Sequence, residues 1–397
     1  MFPALNTRSG ALLASVRIMQ AASGKDIKLK VIDYSDGILL RILRERGIDF
    51  EYIDLARGDW LDCIGGNDVV FGFNNDLYLY PYILKRVNPY IYIYDVFPPF
   101  WSRFMRPKGM RIPFEQMFLR KILSSDFFKN GISVMESASK RALAKRFTNF
   151  EFEKLHISPV SIEIKGLSYF CSPKDSLRLT YIGRSEVWKM TPLARIIRDI
   201  KLSVNFPPVE LRVVVSDVRR AKEILTQLVP QGIDITIYFY ENLNQDELDD
   251  IILRNTDVGF AMGTSVLEFS KYGVPSVLVD FSCHDFPDSY GYKWFFEAEP
   301  CCLGLDLDDP DNASRLIEGH SMNDLIDSFL LSPIVISKNC HEHAKKYHSI
   351  DENVDEILER VLKTPIRAGD ISALPSYLFN IAQYIRKKIL GMRRYER

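Results

Sequence analysis

The chain has 397 residues, 47% of them hydrophobic, which is enough for two ordinary domains with full cores. Its 51 lysines and arginines meet 52 aspartates and glutamates, so net charge makes no case for a nucleic-acid binder. The six cysteines form no CxxC pair, which suits reduced thiols in a cytosol-like compartment rather than a disulfide scaffold. No apolar run reaches the roughly 18 residues of a spanning helix.

Near the start, Ala11-Leu12-Leu13-Ala14-Ser15-Val16 is apolar and Ala21-Ala22-Ser23 mimics a cleavage site. Arg17 interrupts the apolar core, so an amphipathic helix or a start-site artefact fits better than a secretory signal. From Lys28 to Tyr34 the pattern alternates and is β-branched, predicting a strand. Ser35-Asp36-Gly37 is a turn, and Ile38 to Gly47 reads as an amphipathic helix stopped by glycine. Strands are expected at Phe50–Leu55, Asp68–Phe73, Tyr90–Tyr94 and Gly131–Met135, with helices at Leu77–Asn88 and Ala138–Phe147. Strands alternating with helices predict a parallel α/β sheet.

A second α/β unit begins near Leu177, with the boundary expected between residues 165 and 175. Strands are predicted at Leu179–Gly183, Glu210–Ser216, Ile233–Tyr240, Val258–Ala261 and Ser276–Asp280. Helices are expected at Pro192–Ile200, Arg219–Leu228, Gln245–Asn255 and Asp351–Lys363. The domains therefore read as an N-terminal extension (1–26), a first Rossmann-like domain (27–168), a second (169–365) and a basic amphipathic helix (366–397). No internal repeat or low-complexity tract is visible.

The most informative stretch runs from Thr256 to Asp280: strand, Gly263-Thr264-Ser265 turn, helix, Gly-Val-Pro turn, strand. A helix opening on such a turn offers free backbone N–H groups and a dipole to an anion. Gly263 permits close approach, and Thr264 and Ser265 add hydroxyl donors. Glu268 follows Ser265 by about one turn, on a neighbouring part of the helix surface. A phosphate binder with a carboxylate nearby suits a nucleotide; the turn can also be a plain helix cap. Arg184 and Lys189 are expected on the loop after the Leu179–Gly183 strand, where two cations can clamp a diphosphate. The bland alternative is a pair of solvated surface charges.

These segments resemble a known family. Gly183-Arg184 then Lys189, Gln245-Asp246-Glu247-Leu248, Thr256-Asp257-Val258, and Ser265-Val266-Leu267-Glu268 through Gly273-Val274-Pro275 occur in the order seen in GT-B glycosyltransferases of the glycosyltransferase family 4-like group. The Gly131-to-Ser137 run looks like the last strand of that group's acceptor domain. The resemblance spans most of residues 28–365 and is specific in the second half, loose in the first. It implies two facing Rossmann-like domains with an interdomain cleft and a nucleotide-sugar donor on the second. Arg184 and Lys189 would match donor-phosphate residues. Gly263, Thr264 and Ser265 would match the diphosphate turn, and Glu268 the ribose glutamate. Tyr240, at the end of its strand, would lie near the base.

Two departures stand out. The group's Glu-x7-Glu motif keeps only its second member; the first falls at Phe260. That puts sugar identity and a retaining mechanism in doubt. The first strand is followed by Ser35-Asp36-Gly37 instead of a Gly-Gly loop. A histidine common after the fourth strand is also absent, and Tyr94-Asp95 stands about there. Asp95 is the leading catalytic candidate. It fits a base that deprotonates an acceptor hydroxyl, an orienter of sugar or acceptor, or a cap for the Pro98-Pro99 turn. Asp33 and Asp36 are weaker candidates.

Between Pro98 and Lys121, Phe100, Trp101, Phe104, Phe114 and Phe118 are interleaved with Arg103, Arg106, Lys108, Arg111, Arg120 and Lys121. Cations among aromatics suit an anionic membrane surface or a lipid-diphosphate acceptor, with Trp101, Arg103, Arg106 and Lys108 as contacts. A half-buried helical pair is the plain alternative, and no nucleic-acid motif accompanies the patch. The tail from Tyr377 to Arg397 repeats the flavour, with Leu378, Ile381, Tyr384, Ile385 and Ile389 as its apolar stripe. It reads as a helix packing back on the first domain or lying on a membrane. Cys340-His341-Glu342-His343 with His348 hints at metal, but adjacent and alternate residues do not share a helix face; no metal and no cofactor are expected. Cys283-His284-Asp285 lacks the partner spacing of a nucleophile pair.

The resulting expectation is a GT-B transferase of a hexose-type sugar from a nucleoside diphosphate to a glycan or lipid-linked acceptor. Its place would be the cytoplasm, on the inner face of a membrane. The rivals are a non-catalytic GT-B subunit and a sugar-nucleotide epimerase.

Overall fold

The computed structural model describes residues 10–57, 59–72, 84–95, 130–146, 155–169, 176–203, 207–229, 235–309, 312 and 319–371. The chain divides into two compact units: Met1–Met135, Ser139–Ser158 and Val354–Arg397 form the first, and Glu136–Ala138 with Pro159–Asn353 the second.

The first unit opens on α1 (Gly10–Ser23), which buries Leu12, Ala14, Val16 and Ile18 and packs against α2 (Ile38–Glu45). Between them runs β1 (Lys30–Asp33), parallel to β2 (Glu51–Asp54). The α2 helix follows from an i, i+3, i+4 stripe, with Leu39, Leu40, Ile42 and Leu43 buried. The turn after β1 keeps Asp33 buried, its Oδ1 accepting the Tyr34 N–H at 2.8 Å. A parallel group follows: β3 (Val69–Gly72), β4 (Tyr90–Asp95), β5 (Ile132–Val134) and β6 (His156–Ile157), paired in chain order. Helix α3 (Ser137–Arg146) leaves β5. The expected helix at 77–88 lies mostly outside the described residues.

Among the described residues the second unit holds a six-stranded sheet. Its strands are β7 (Leu177–Ile182), β8 (Val209–Val215), β9 (Thr236–Glu241), β10 (Val258–Ala261), β11 (Ser276–Leu278) and β12 (Lys293–Trp294). The order is β12-β11-β10-β7-β8-β9, parallel except for β12. The helices of its crossovers are α4 (Val187–Leu202), α5 (Val218–Leu228), α6 (Gln245–Asn255) and α7 (Thr264–Ser270). Central β7 is buried at every position, as expected for a strand covered on both faces. Asp217 caps α5 by accepting the Arg220 N–H, and Asn244 with Glu247 makes a capping box on α6. At the amino ends of β7 and β10, buried Arg178 donates Nε to Asp257 Oδ2 at 3.1 Å, and its backbone N–H donates to the same oxygen at 2.8 Å. Gly259 keeps α7 tight on β10, since a Cβ there would sit 2.5 Å from the Phe269 ring.

After the sheet come α8 (Met322–Leu331), α9 (Pro333–His348) and α10 (Ile350–Leu362), then α11 (Ala368–Ile371). Backbone bonds place α11 beside β4 in the first unit, with Ala368 N–H donating to Pro89 O and Ile91 N–H to Ile366 O. No helix of the described residues is long and apolar enough to cross a membrane. Each unit is an α/β layer arrangement of mainly parallel strands, Rossmann-like in pattern.

Candidate functional site

In the second unit β7 sits at the centre, and the chain winds outward from it in both directions: β8 and β9 to one side, β10 and β11 to the other. The reversal lies between β7 and β10, and ligands of such sheets bind at the carboxyl ends of the strands flanking it. Two candidate segments leave the sheet there: Gly183-Arg184 after β7 and Met262-Gly263 after β10.

Lys189 is placed differently from expectation. It lies in the first turn of α4, not on a loop, because α4 begins at Val187 and carries Pro192 inside it. A proline in a helix removes one i→i−4 bond and favours the first turn, so the local sequence points to Pro192 as the start. The buried face of Met190, Leu193, Ala194, Ile196 and Ile197 overrides that preference. The Lys189 carbonyl also accepts the Tyr181 hydroxyl at 2.5 Å, which ties the first turn of α4 to β7.

The same turn buries the Lys189 side chain, only 9% exposed. Its Nζ rests 4.6 Å from the Trp188 ring centroid, and the Arg184 guanidinium lies 5.5 Å from the same ring. Arg184 is half exposed and pairs with Glu186 at 3.3 Å. Among the described residues Lys189 has no ion-pair partner of its own. Burial and then the Arg184 charge push its amine down to about 7, against the opposing pull of Glu186 and Glu136. The pair is therefore not two solvated surface charges: one member is a buried amine with no ion-pair partner among the described residues.

Gly263 faces it. Its φ of 63° and ψ of −146° belong to a region that side-chain-bearing residues avoid, and a Cβ there would lie 3.9 Å from Lys189 Nζ. The Gly263 N–H is taken by Leu303 O at 2.7 Å, so it is not a ligand donor. Thr264 and Ser265 open α7, where helix geometry leaves N–H groups without intrahelical acceptors. At seven residues α7 is short, so its dipole is weaker than that of a full-length helix.

Glu268 is buried on α7. Its Oε2 accepts Lys271 Nζ at 2.7 Å and Gln245 Nε2 at 3.3 Å. Lys271 also reaches Asp249 at 3.0 Å, and the Tyr272 hydroxyl donates to Asp249 at 2.7 Å. Tyr240 lies near the carboxyl end of β9, half buried, followed by Asn242 at φ 56°. Phe260, where the resemblance would put its first glutamate, is fully buried in β10 against Tyr292.

Asp95 is the last residue of β4, in register with Val134 of β5; its side chain lies outside the description. Trp101, Arg103, Arg106 and Lys108, with the rest of 98–121 and the tail from 377, lie outside the described residues. His341 Nε2 pairs with Lys165 O at 2.8 Å, His348 Nδ1 with Val160 O at 2.7 Å, and His343 packs edge-on to Phe295. No group of three potential metal ligands occurs among the described residues. Cys283 is exposed, and its neighbour His284 pairs with Asp308 at 3.0 Å.

Several residues of this region escape a reading of the sequence. Trp188 adjoins Lys189, but its role depends on α4 starting early. Glu136 lies in the Gly131–Ser137 run yet accepts the N–H of Leu303 at 3.0 Å, across 167 positions. Lys271 belongs to the Glu268–Gly273 run without any signal of its own.

No protein-family model matches the chain, and no curated protein matches it in sequence. Solved structures match its fold. HepE of Anabaena, crystallised with UDP and glucose, superposes with a TM-score of 0.56 at 12% identity, covering 90% of this chain and 96% of that one. The lipopolysaccharide outer core galactosyltransferase WaaB gives 0.55 at 11%, covering 90% and 97%. A glycosyltransferase of Rickettsia africae gives 0.54 at 13%, covering 91% and 97%. The fold is thus GT-B over nearly the whole of each neighbour, at identities that speak for fold alone.

Proposed function

We propose that the chain is a glycosyltransferase that moves a hexose-type sugar from a nucleoside diphosphate to a glycan or lipid-linked acceptor in cell-surface polysaccharide synthesis. The observation that carries this reading is Lys189: a buried amine, without an ion-pair partner among the described residues, at the switch point of the second sheet. Burying a charge is expensive unless it is paired, and a diphosphate supplies the pair. HepE, with the same fold, holds UDP and glucose.

In this reading Lys189 and Arg184 neutralise the diphosphate, which makes it a better leaving group as the glycosidic bond breaks. The first N–H groups of α7 and the hydroxyls of Thr264 and Ser265 add hydrogen bonds to it. Glu268 takes the ribose hydroxyls, held by Lys271 and Gln245. Tyr240 stands by the base. The charge for the leaving group comes from side chains, with no cofactor in the scheme. Asp95 acts on the acceptor hydroxyl as a base in an inverting enzyme, or orients it in a retaining one. Trp101, Arg103, Arg106 and Lys108 meet an anionic acceptor or the inner face of a membrane, which keeps the enzyme peripheral in the cytoplasm.

The test is transfer of label from UDP-hexoses to lipid-diphosphate-linked sugar in membranes. Transfer that is lost in Lys189→Ala and Asp95→Asn supports the reading. The buried Phe260 favours one second reading, a non-catalytic GT-B subunit: nucleotide binding without transfer or hydrolysis would establish that instead. Isomerisation of the donor sugar without acceptor would mark an epimerase.

A further inference from the structure

Glu136 is 7% exposed and belongs to the second unit by its contacts, although it lies two residues after β5 of the first. Its Oε2 accepts the Leu303 N–H at 3.0 Å. The carbonyl of the same Leu303 accepts the Gly263 N–H at 2.7 Å. One residue, Leu303, thus links the carboxylate to the turn whose glycine lies near Lys189 Nζ. Buried Glu136 also acts electrostatically on both Lys189 and Cys301.

We infer that Glu136 is a positioning residue of the diphosphate site, holding the Leu303–Gly263 turn beside Lys189 and placing a buried carboxylate there. The inference rests on the reading of Lys189 as the diphosphate cation. Its logic is local charge balance. Arg184 repels the Lys189 charge, while Glu186 and Glu136 favour it. The Trp188 ring face favours it as well. The Tyr181 hydroxyl is held neutral by burial, and so is the Cys301 thiol, pushed up to about 11. Of the two carboxylates, Glu186 exerts the larger pull and shares one oxygen with Arg184 at 3.3 Å; Glu136 adds a smaller one. Glu136 is buried, where a charge acts over a less screened path.

This arrangement has a signature that simple scaffolding lacks. An incoming diphosphate returns the Lys189 proton and meets some repulsion from Glu136. Removing the Glu136 charge therefore weakens binding at high pH, where Lys189 is then neutral, and not at low pH, where it is charged anyway. The affinity–pH curves of the two proteins should converge or cross.

The experiment has two arms on the full chain. The first follows the Lys189 Nζ resonance through pH in lysine-labelled free protein, assigned with Lys189→Arg. The expected result is a midpoint lower in Glu136→Gln than in wild type, restored by Glu136→Asp. An unmoved midpoint overturns the inference and needs no nucleotide. The second arm is calorimetric titration with UDP between pH 6 and 8, using Lys189→Arg to cancel the titration of UDP itself. Relative to that variant, wild type should lose about tenfold in affinity, the slope of a group that releases its proton near 7 when free and holds it when bound. Glu136→Gln should lose about threefold more at pH 8 and nothing at pH 6. Parallel profiles with intact UDP binding overturn the Glu136 role alone. Failure of wild type to bind UDP, GDP or ADP overturns the diphosphate reading and this inference together. Circular dichroism checks folding, and Glu136→Ser serves if the glutamine variant does not fold.

Discussion

Lys271 donates to Glu268 at 2.7 Å with both side chains buried, so the candidate ribose carboxylate is held by a cation three residues on. Breaking such a pair from one side strands the other charge. Lys271→Met should therefore destabilise the protein by about 3 kcal/mol in urea unfolding and weaken nucleotide binding. Unchanged stability would mean that the pair is not formed in solution.

Lys189 behaves in the opposite sense. Its amine titrates near 7 in the folded protein against 10.5 ordinarily, so between those values the unfolded chain binds the extra proton. By linkage, stability from this group rises as pH increases from 7 towards 10.5 and is lowest below 7. Lys189→Met removes that penalty. The variant should melt a few degrees higher than wild type at pH 7 by differential scanning calorimetry, and yet fail to bind nucleotide. A lower melting temperature would contradict the burial argument.

The histidines of α9 set an acid limit. Burial pushes His343 and His348 down to about 4 from 6.5, so both fold neutral. Their contribution is complete above 6.5 and is lost as pH falls towards 4, by about 2 kcal/mol each between pH 7 and 4.5. Asp280 opposes this: burial lifts it to about 6, so it stabilises the fold more as pH drops from 6 towards 3.8. Denaturant unfolding of His348→Gln at pH 7, 5.5 and 4.5 should show a shallower acid loss than wild type. An identical slope would mean that burial does not hold His348 neutral in the folded protein.

Gly263 combines a backbone conformation suited to glycine with closeness to Lys189. Gly263→Ala should cost about 1–3 kcal/mol of stability from backbone strain. It should also displace the turn and reduce nucleotide affinity at least tenfold. Titration calorimetry with the folded variant checks this; wild-type affinity would separate the turn from the site.

Much of the second unit is legible in its sequence because local signals agree there. The Gln245–Asn255 helix has its capping box written as Asn244 and Glu247, and β7 is an uninterrupted core strand. The α4 start is misread because Pro192 gives the local signal of a first turn while burial of Met190 and Leu193 decides otherwise. That error hides the burial of Lys189, its most informative property. Sheet order is not local either, since β10 pairs with β7 after β8 and β9 have been laid down on the other side. The Glu136–Leu303 bond and the Lys271–Glu268 pair depend on tertiary placement, and neither residue type announces it.

We propose that the second unit binds a nucleoside diphosphate through Lys189 and Glu268. The most direct measurement is a thermal-shift series with UDP-, GDP- and ADP-sugars on wild type, Lys189→Ala and Glu268→Ala. A ligand at about a hundred times its Kd stabilises the native state by about 2.7 kcal/mol, a shift of several degrees at most for a chain of this size. The expected result is that shift with one base, absent in both variants. Equal shifts in wild type and variants, or none with any nucleotide, would contradict it.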